Sequence, residues 1–107
     1  MKHVYCPSVE GLDSLSLGLE GSRKMMLRLL SEDSVWIEIE PGGHTPDHAH
    51  NDKERVVVVS GSGVIKAGEE RKNIKEGDFL EFAPDEQHQA INNSDDTLVF
   101  LCFRNQK

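Results

Sequence analysis

The 107-residue sequence predicts a single all-β domain, a small barrel or sandwich. Short apolar runs alternate with turn residues along most of the chain, which is the pattern of many short strands. Val35–Glu40 alternates with a period of two, with Val35, Ile37 and Ile39 on one face and Trp36, Glu38 and Glu40 on the other. No segment carries an amphipathic 3.6-residue period over the length of a stable helix.

In chain order, residues 1–22 are expected to form an N-terminal arm or first strand, and Gly11–Gly21 within it is small, polar and irregular, expected to wrap the outside. The expected strands are Lys24–Leu30, Val35–Glu40, Arg55–Ser60, Gly63–Lys66, Phe79–Phe82, Gln87–Asn92 and Leu98–Phe103. Turns between them fall at Ser31–Ser34, Pro41-Gly42-Gly43, Gly61-Ser62-Gly63, Ala67–Glu70, Glu76-Gly77-Asp78, Ala83–Glu86 and Asn92–Asp96. Lys66–Lys75 mixes both charge signs around a turn and reads as a solvated hairpin.

Composition narrows the functional classes. A net charge of −7 argues against nonspecific binding to nucleic acid or to an anionic membrane surface. No run approaches the roughly 18 apolar residues of a transmembrane helix, and the start, MKHVYCPSVEG, lacks the apolar run of a secretory signal. Cys6 and Cys102 read as free thiols, so the expected setting is the cytoplasm.

Chemistry concentrates in DHAHNDKERVVVVSG, Asp47–Gly61. His48 and His50 project to one face of an extended segment, and Glu54 follows an even step later, at the threshold of an apolar strand. Ionisable groups in such a place are costly unless something pairs with them. His88 sits after a turn built on Pro84 and Asp85 and leads into another strand. Three imidazoles and a carboxylate suit Mn, Fe, Co, Ni, Cu or Zn. His3, near the terminus, and His44, beside the Gly-Gly turn, read as ordinary surface histidines, with His44 near any pocket mouth.

The spacing resembles a known family. Gly42, His48, His50, Glu54 and Gly61 fit every position of the first cupin motif, over residues 42–61. The second motif, residues 77–92, keeps its spacing through Gly77, His88 and Asn92. It carries Ala83 in the proline place and Asp85 in the glycine place, with Pro84 one position late. Asp85 tolerates the turn conformation that glycine favours. The resemblance implies a double-stranded β-helix, a jelly roll spanning residues 1–107 as one domain. It also implies one divalent transition metal ion per chain on His48, His50, Glu54 and His88, with coordination positions left for water and a small organic molecule.

The implied function is a metalloenzyme, dioxygenase-like or an isomerase; the alternative is a cupin that binds or senses a small molecule without turnover, the metal anchoring the ligand. Glu54 is the candidate for both ligand and base. The only tyrosine, Tyr5, is near the N-terminus, which argues against the metal-free epimerase type of cupin, and Glu54 argues against the thiol dioxygenase type. Strand parity makes Val56, Ala90, Phe100 and Cys102 candidates for the pocket wall, and Arg28 a candidate for a substrate carboxylate. The first and last strands are apolar on both faces, which predicts a homodimer.

Overall fold

The computed structural model describes residues 1–104 and forms an antiparallel barrel of nine strands. These are β1 (Leu12–Asp13), β2 (Arg23–Ser31), β3 (Ser34–His44), β4 (Glu54–Ser60), β5 (Ser62–Ala67), β6 (Glu70–Lys75), β7 (Phe79–Phe82), β8 (His88–Ile91) and β9 (Leu98–Arg104). Hydrogen-bonded neighbours run β6-β5-β8-β3-β9-β4-β7, and β1 and β2 extend the sheet from β3. Among the described residues no helix is long and apolar enough to cross a membrane.

Every alternating pattern resolves in one direction. Ile37 and Ile39 of β3, Val56 and Val58 of β4, Ala90 of β8, and Leu98, Phe100 and Cys102 of β9 are buried in one core. Val57, Val99, Leu101 and Phe103 take the outer face. Adjacent side chains on a strand point to opposite faces, so burial of one set fixes the other.

Two expectations change. The expected turn Pro41-Gly42-Gly43 lies inside β3, which continues to His44. The chain keeps its pairing because Gly42 takes a left-handed φ of 84° and shifts the register against β2. The Gly42 amide donates to the Asn92 carbonyl at 3.0 Å, and the Asn92 amide donates to the Gly43 carbonyl at 2.9 Å. Beyond the kink β3 therefore pairs with β8, whereas Ser34–Ile39 pairs with β9.

The second change concerns Gly11–Gly21, which is more than an outer wrap. Asp13 and Leu12 pair with β2, and Ser14 is buried with its hydroxyl 2.7 Å from that of Ser22. That tether turns Leu19 inward against the core. The Lys66–Lys75 hairpin is present with Ala67 opposite Glu70, and its Ile74 is buried.

Gly42 and Gly61 separate two demands on glycine. A Cβ at Gly42 would meet nothing within 4 Å, so only its φ is demanding; at Gly61, with φ 86°, a Cβ would also lie 2.5 Å from the Thr97 carbonyl oxygen. Gly42→Ala is expected to cost about 1 kcal/mol, and Gly61→Ala about 3 kcal/mol, strain and clash together. Chemical denaturation checks this; equal losses would contradict it.

Candidate metal centre

The loop between β3 and β4 delivers His48 and His50, the first residue of β4 is Glu54, and the first residue of β8 is His88. Backbone pairing brings the two segments together. His48 and His88 exchange amide-to-carbonyl hydrogen bonds of 3.0 and 2.8 Å, and the Asp85 amide donates to the His50 carbonyl at 2.6 Å. Asp85 makes that contact with φ 64°, the left-handed conformation expected of the residue in the glycine place. Thr45 adds a third tie, accepting the Ala90 amide on its hydroxyl at 2.9 Å.

The four side chains then meet. One donor atom from each of His48, His50, Glu54 and His88 lies within 4.8 Å of the others. Ligands about 2.1 Å from a shared ion stand at most about 4.2 Å apart, so small side-chain movements close the set. His88 Nε2 is 2.9 Å from Glu54 Oε1, and His50 Nε2 is 3.7 Å from the same oxygen. His88 Nδ1 donates to the Glu86 carbonyl at 2.9 Å, and His48 Nδ1 donates to that of Pro46. Each bond assigns the proton to Nδ1 and turns Nε2 toward the cluster, the usual second layer of a metal-bound histidine. Phe82 stacks parallel to the His88 ring at 3.8 Å and fixes its plane. Three imidazole nitrogens and one carboxylate oxygen thus fit a first-row divalent ion.

The cluster lines a cavity of about 460 Å³. Val56, Ala90, Phe100 and Cys102 line it, with Leu19, Met25, Leu27, Ile37, Leu80 and Phe82. Arg28 does not. It follows Leu27 on β2, so parity sends it to the outer face opposite Trp36, where Nε donates to Glu38 at 3.0 Å and Nη1 to the Val9 carbonyl. His44 is also absent from the wall; its ring nitrogen contacts Thr45 and Gln89. Thr45, Leu19 and Arg104, none of them a candidate from the sequence motifs, also reach the cavity. Arg104 had a signal, since it shares the parity of Phe100 and Cys102. Leu19 had none, because its segment has no strand period.

Burial raises the Cys102 thiol well above its ordinary pKa, and Glu54 adds to the effect, so Cys102 is a neutral wall residue. Burial also works against the Glu54 carboxylate. The hydrogen bond from His88 and the charges of His88, His50 and His48 outweigh it and hold Glu54 below 4.5. At His88 burial opposes the cation, but the bonds to Glu54 and to the Glu86 carbonyl outweigh it and raise the pKa above 6.5. His50 is lowered, chiefly by burial; the attraction of Glu54 opposes this, and Arg104 and the other imidazoles add to the lowering.

Residues 35–104 match the Cupin_2 family, the cupin domain. The chain belongs to this family. Solved cupin structures share its fold at low identity. A cupin-2 domain protein from Rhodospirillum rubrum is 22% identical, with TM-score 0.80 over 99% of this chain and 75% of that one. The polyketide cyclase RemF from Streptomyces resistomycificus is 21% identical, with TM-score 0.84 over 97% of this chain and 78% of its own. A predicted oxalate decarboxylase from Thermotoga maritima is 19% identical, with TM-score 0.84 over 96% and 97% of the two chains. No curated protein matches the sequence. This cupin keeps the family's histidine and glutamate spacing and departs from it at Ala83 and Asp85.

The shifts set opposite pH limits on the metal-free cupin. The Glu54 contribution to stability is present above pH 4.5 and lost as pH falls through its lowered pKa. The His88 contribution is present below pH 6.5 and lost as pH rises through its raised pKa. Denaturation of metal-stripped protein should therefore show the wild type's advantage over Glu54→Gln greatest between pH 4.5 and 6.5. A difference that does not vary with pH would contradict the pairing. Metal must displace the His88 proton, so zinc affinity, measured against a chromophoric chelator, should fall roughly tenfold per pH unit on acidification.

Proposed function

We propose that this cupin is a metal-dependent enzyme holding one divalent transition ion on His48, His50, Glu54 and His88 and acting on a small organic molecule. The observation that carries the reading is the meeting of the four donors on the wall of a cavity whose other lining is almost wholly apolar. A purely structural metal site is closed on all sides by protein, whereas this cluster faces an open cavity. His48, His50, Glu54 and His88 would hold such an ion with coordination positions to spare, and it would supply Lewis-acid or redox chemistry to a molecule in the cavity. The reading extends to oxygenase-type chemistry, which a redox-active ion on these four residues would supply.

The chain's own residues do the rest. His48 and His88 are held in the ligand tautomer by the Pro46 and Glu86 carbonyls. Two carboxylates line the cavity, Glu54 buried and Glu20 exposed. The lowered pKa of Glu54 keeps it ionised and ready to bind the ion. Leu27, Ile37, Val56 and Phe100 exclude water around the body of that substrate.

The reading is tested by elemental analysis of protein purified without chelator or a histidine tag, with His88→Ala as control. Near-stoichiometric metal in the wild type and its loss in the variant are expected. An iron, manganese, nickel or copper protein should then consume dioxygen with a small-molecule substrate. Metal and ligand binding without turnover would convert the reading to a binding or sensing cupin. No metal in either protein after reconstitution would refute it.

Two copies of the chain and a cytoplasmic setting belong to the same proposal. Trp36, Leu101, Val57 and Phe79 lie in register across the outer face of β3, β9, β4 and β7, and Phe79 is 59% exposed. That continuous apolar row supports a homodimer, and the free thiols of Cys6 and Cys102 support a reducing compartment. Light scattering on the eluting protein should give twice the chain mass for the wild type and the chain mass for Phe79→Glu; a monomeric wild type would end this part of the proposal.

A further inference from the structure

Arg104 stands where an outward or apolar residue would be expected. The inward row of β9 runs Leu98, Phe100, Cys102, all buried, and Arg104 is the next residue of the same parity. Its register partner on β4 is Glu54. Directly opposed residues in an antiparallel pair carry their Cβ atoms about 5 Å apart on one face. The guanidinium stem therefore starts beside the carboxylate ligand and reaches the mouth of the cavity, where its side chain is 39% exposed. It is the one arginine or lysine among the residues that line the cavity.

Its only side-chain partner among the described residues is Asp52, which lies in the loop between His50 and Glu54. The contact is not a two-oxygen fork. Nε at 3.2 Å and Nη2 at 2.9 Å both donate to the single atom Oδ1. Guanidinium carries five N–H donors and binds a carboxylate best through two parallel bonds to two oxygens. Two donors are in use on Asp52, so three are without a partner among the described residues. A second carboxylate can be accepted at Nη1 without breaking the first pair.

Charge points to the same ligand class. A divalent ion with the Glu54 carboxylate is singly positive, and Arg104 with Asp52 adds nothing net. One monoanion neutralises the site. A dianion would leave uncompensated charge in a cavity walled by Met25, Leu27, Ile37, Val56 and Phe100. A neutral molecule would leave the free guanidinium donors unused at the mouth.

We propose that Arg104 is the specificity-determining residue of this cavity and selects monocarboxylates with a compact apolar body, the carboxylate bound beside the metal centre and the body in the barrel. The proposal rests on the cavity reading given above, deepens it to a substrate class, and is separable from it by experiment. Arg104 recognises the anion; the Asp52 carboxylate beside it offsets the guanidinium charge and so competes with the ligand electrostatically.

The probes are phenylacetate and its neutral counterpart phenylacetamide, titrated calorimetrically into wild type, Arg104→Gln and Asp52→Asn. Each protein is used zinc-loaded and chelator-stripped, with zinc content measured on the same samples. Wild type should bind phenylacetate at least tenfold more tightly than phenylacetamide. Arg104→Gln should lose at least tenfold in phenylacetate affinity while phenylacetamide affinity and zinc content stay within twofold. Asp52→Asn should bind phenylacetate several-fold more tightly, because the competing carboxylate is gone. Phenylacetate affinity in Arg104→Gln within twofold of wild type would overturn the proposal. So would parallel weakening in both variants, which is the signature of a pair that only braces the loop, or no phenylacetate binding to wild type. Zinc at one per chain without dependence on Arg104 defeats this proposal alone. Arg104-dependent binding to a chain that takes up no zinc upholds it and defeats the metal reading.

Discussion

Ser34–Ile39 of β3 lies between β2 and β9, and the same strand at His44 pairs with β8. That change of partner turns one curled sheet into a barrel, and it depends on the kink at Gly42 being held shut. Asn92 holds it. Its side chain is fully buried, donating from Nδ2 to the Ile39 and Asp96 carbonyls at 2.8 Å each and accepting on Oδ1 from the amide and hydroxyl of Ser94. A buried amide with all its hydrogen bonds made stabilises one geometry strongly, because any other leaves polar atoms without water or partners. Among the described residues no buried side-chain nitrogen or oxygen lacks a hydrogen-bond partner.

The metal centre is downstream of that knot. His88 opens the strand that Asn92 follows, and β8 is placed by pairing with both β5 and β3. Once β8 is set, the His48–His88 backbone bridge draws the otherwise irregular His48–His50 segment across to it. Glu54 arrives independently, between Phe82 of β7 and Arg104 of β9. Two strands and one loop thus supply the cluster, the loop being tied to β8 at His48 and to the Asp85 turn at His50. Rigid support of this kind is what a site needs to hold geometry without rearranging when a ligand binds.

Electrostatics divide the site between a polar cluster and an apolar wall. The cluster holds the imidazoles and Glu54, and the hydrogen bond that Glu54 shares with His88 pulls the Glu54 pKa down and the His88 pKa up. The Arg104–Asp52 pair adjoins it, Arg104 standing opposite Glu54 in the register of β9 against β4. The rest of the wall is hydrocarbon and the neutral Cys102 thiol.

The all-β class, the alternation of β3, β4 and β9 and the set His48, His50, Glu54 and His88 were legible in the sequence. Strand parity is a local property, and the spacing between ligands on or beside strands is preserved when the strands fold. Asp85 in the glycine place was legible for the same reason, as a local preference for a left-handed turn. The continuation of β3 through Gly42, the inward turn of Leu19 and the outward facing of Arg28 were not. Each is decided by what lies across the sheet: the Asn92 backbone for Gly42, the Ser14–Ser22 hydrogen bond for Leu19, and Glu38 with the Val9 carbonyl for Arg28. Arg104 lies between these cases. The sequence determined its face, and only the register of β9 against β4 decided that this face meets Glu54. A chain specifies its periodicities by itself, but which residues oppose one another depends on long-range pairing that no single segment contains.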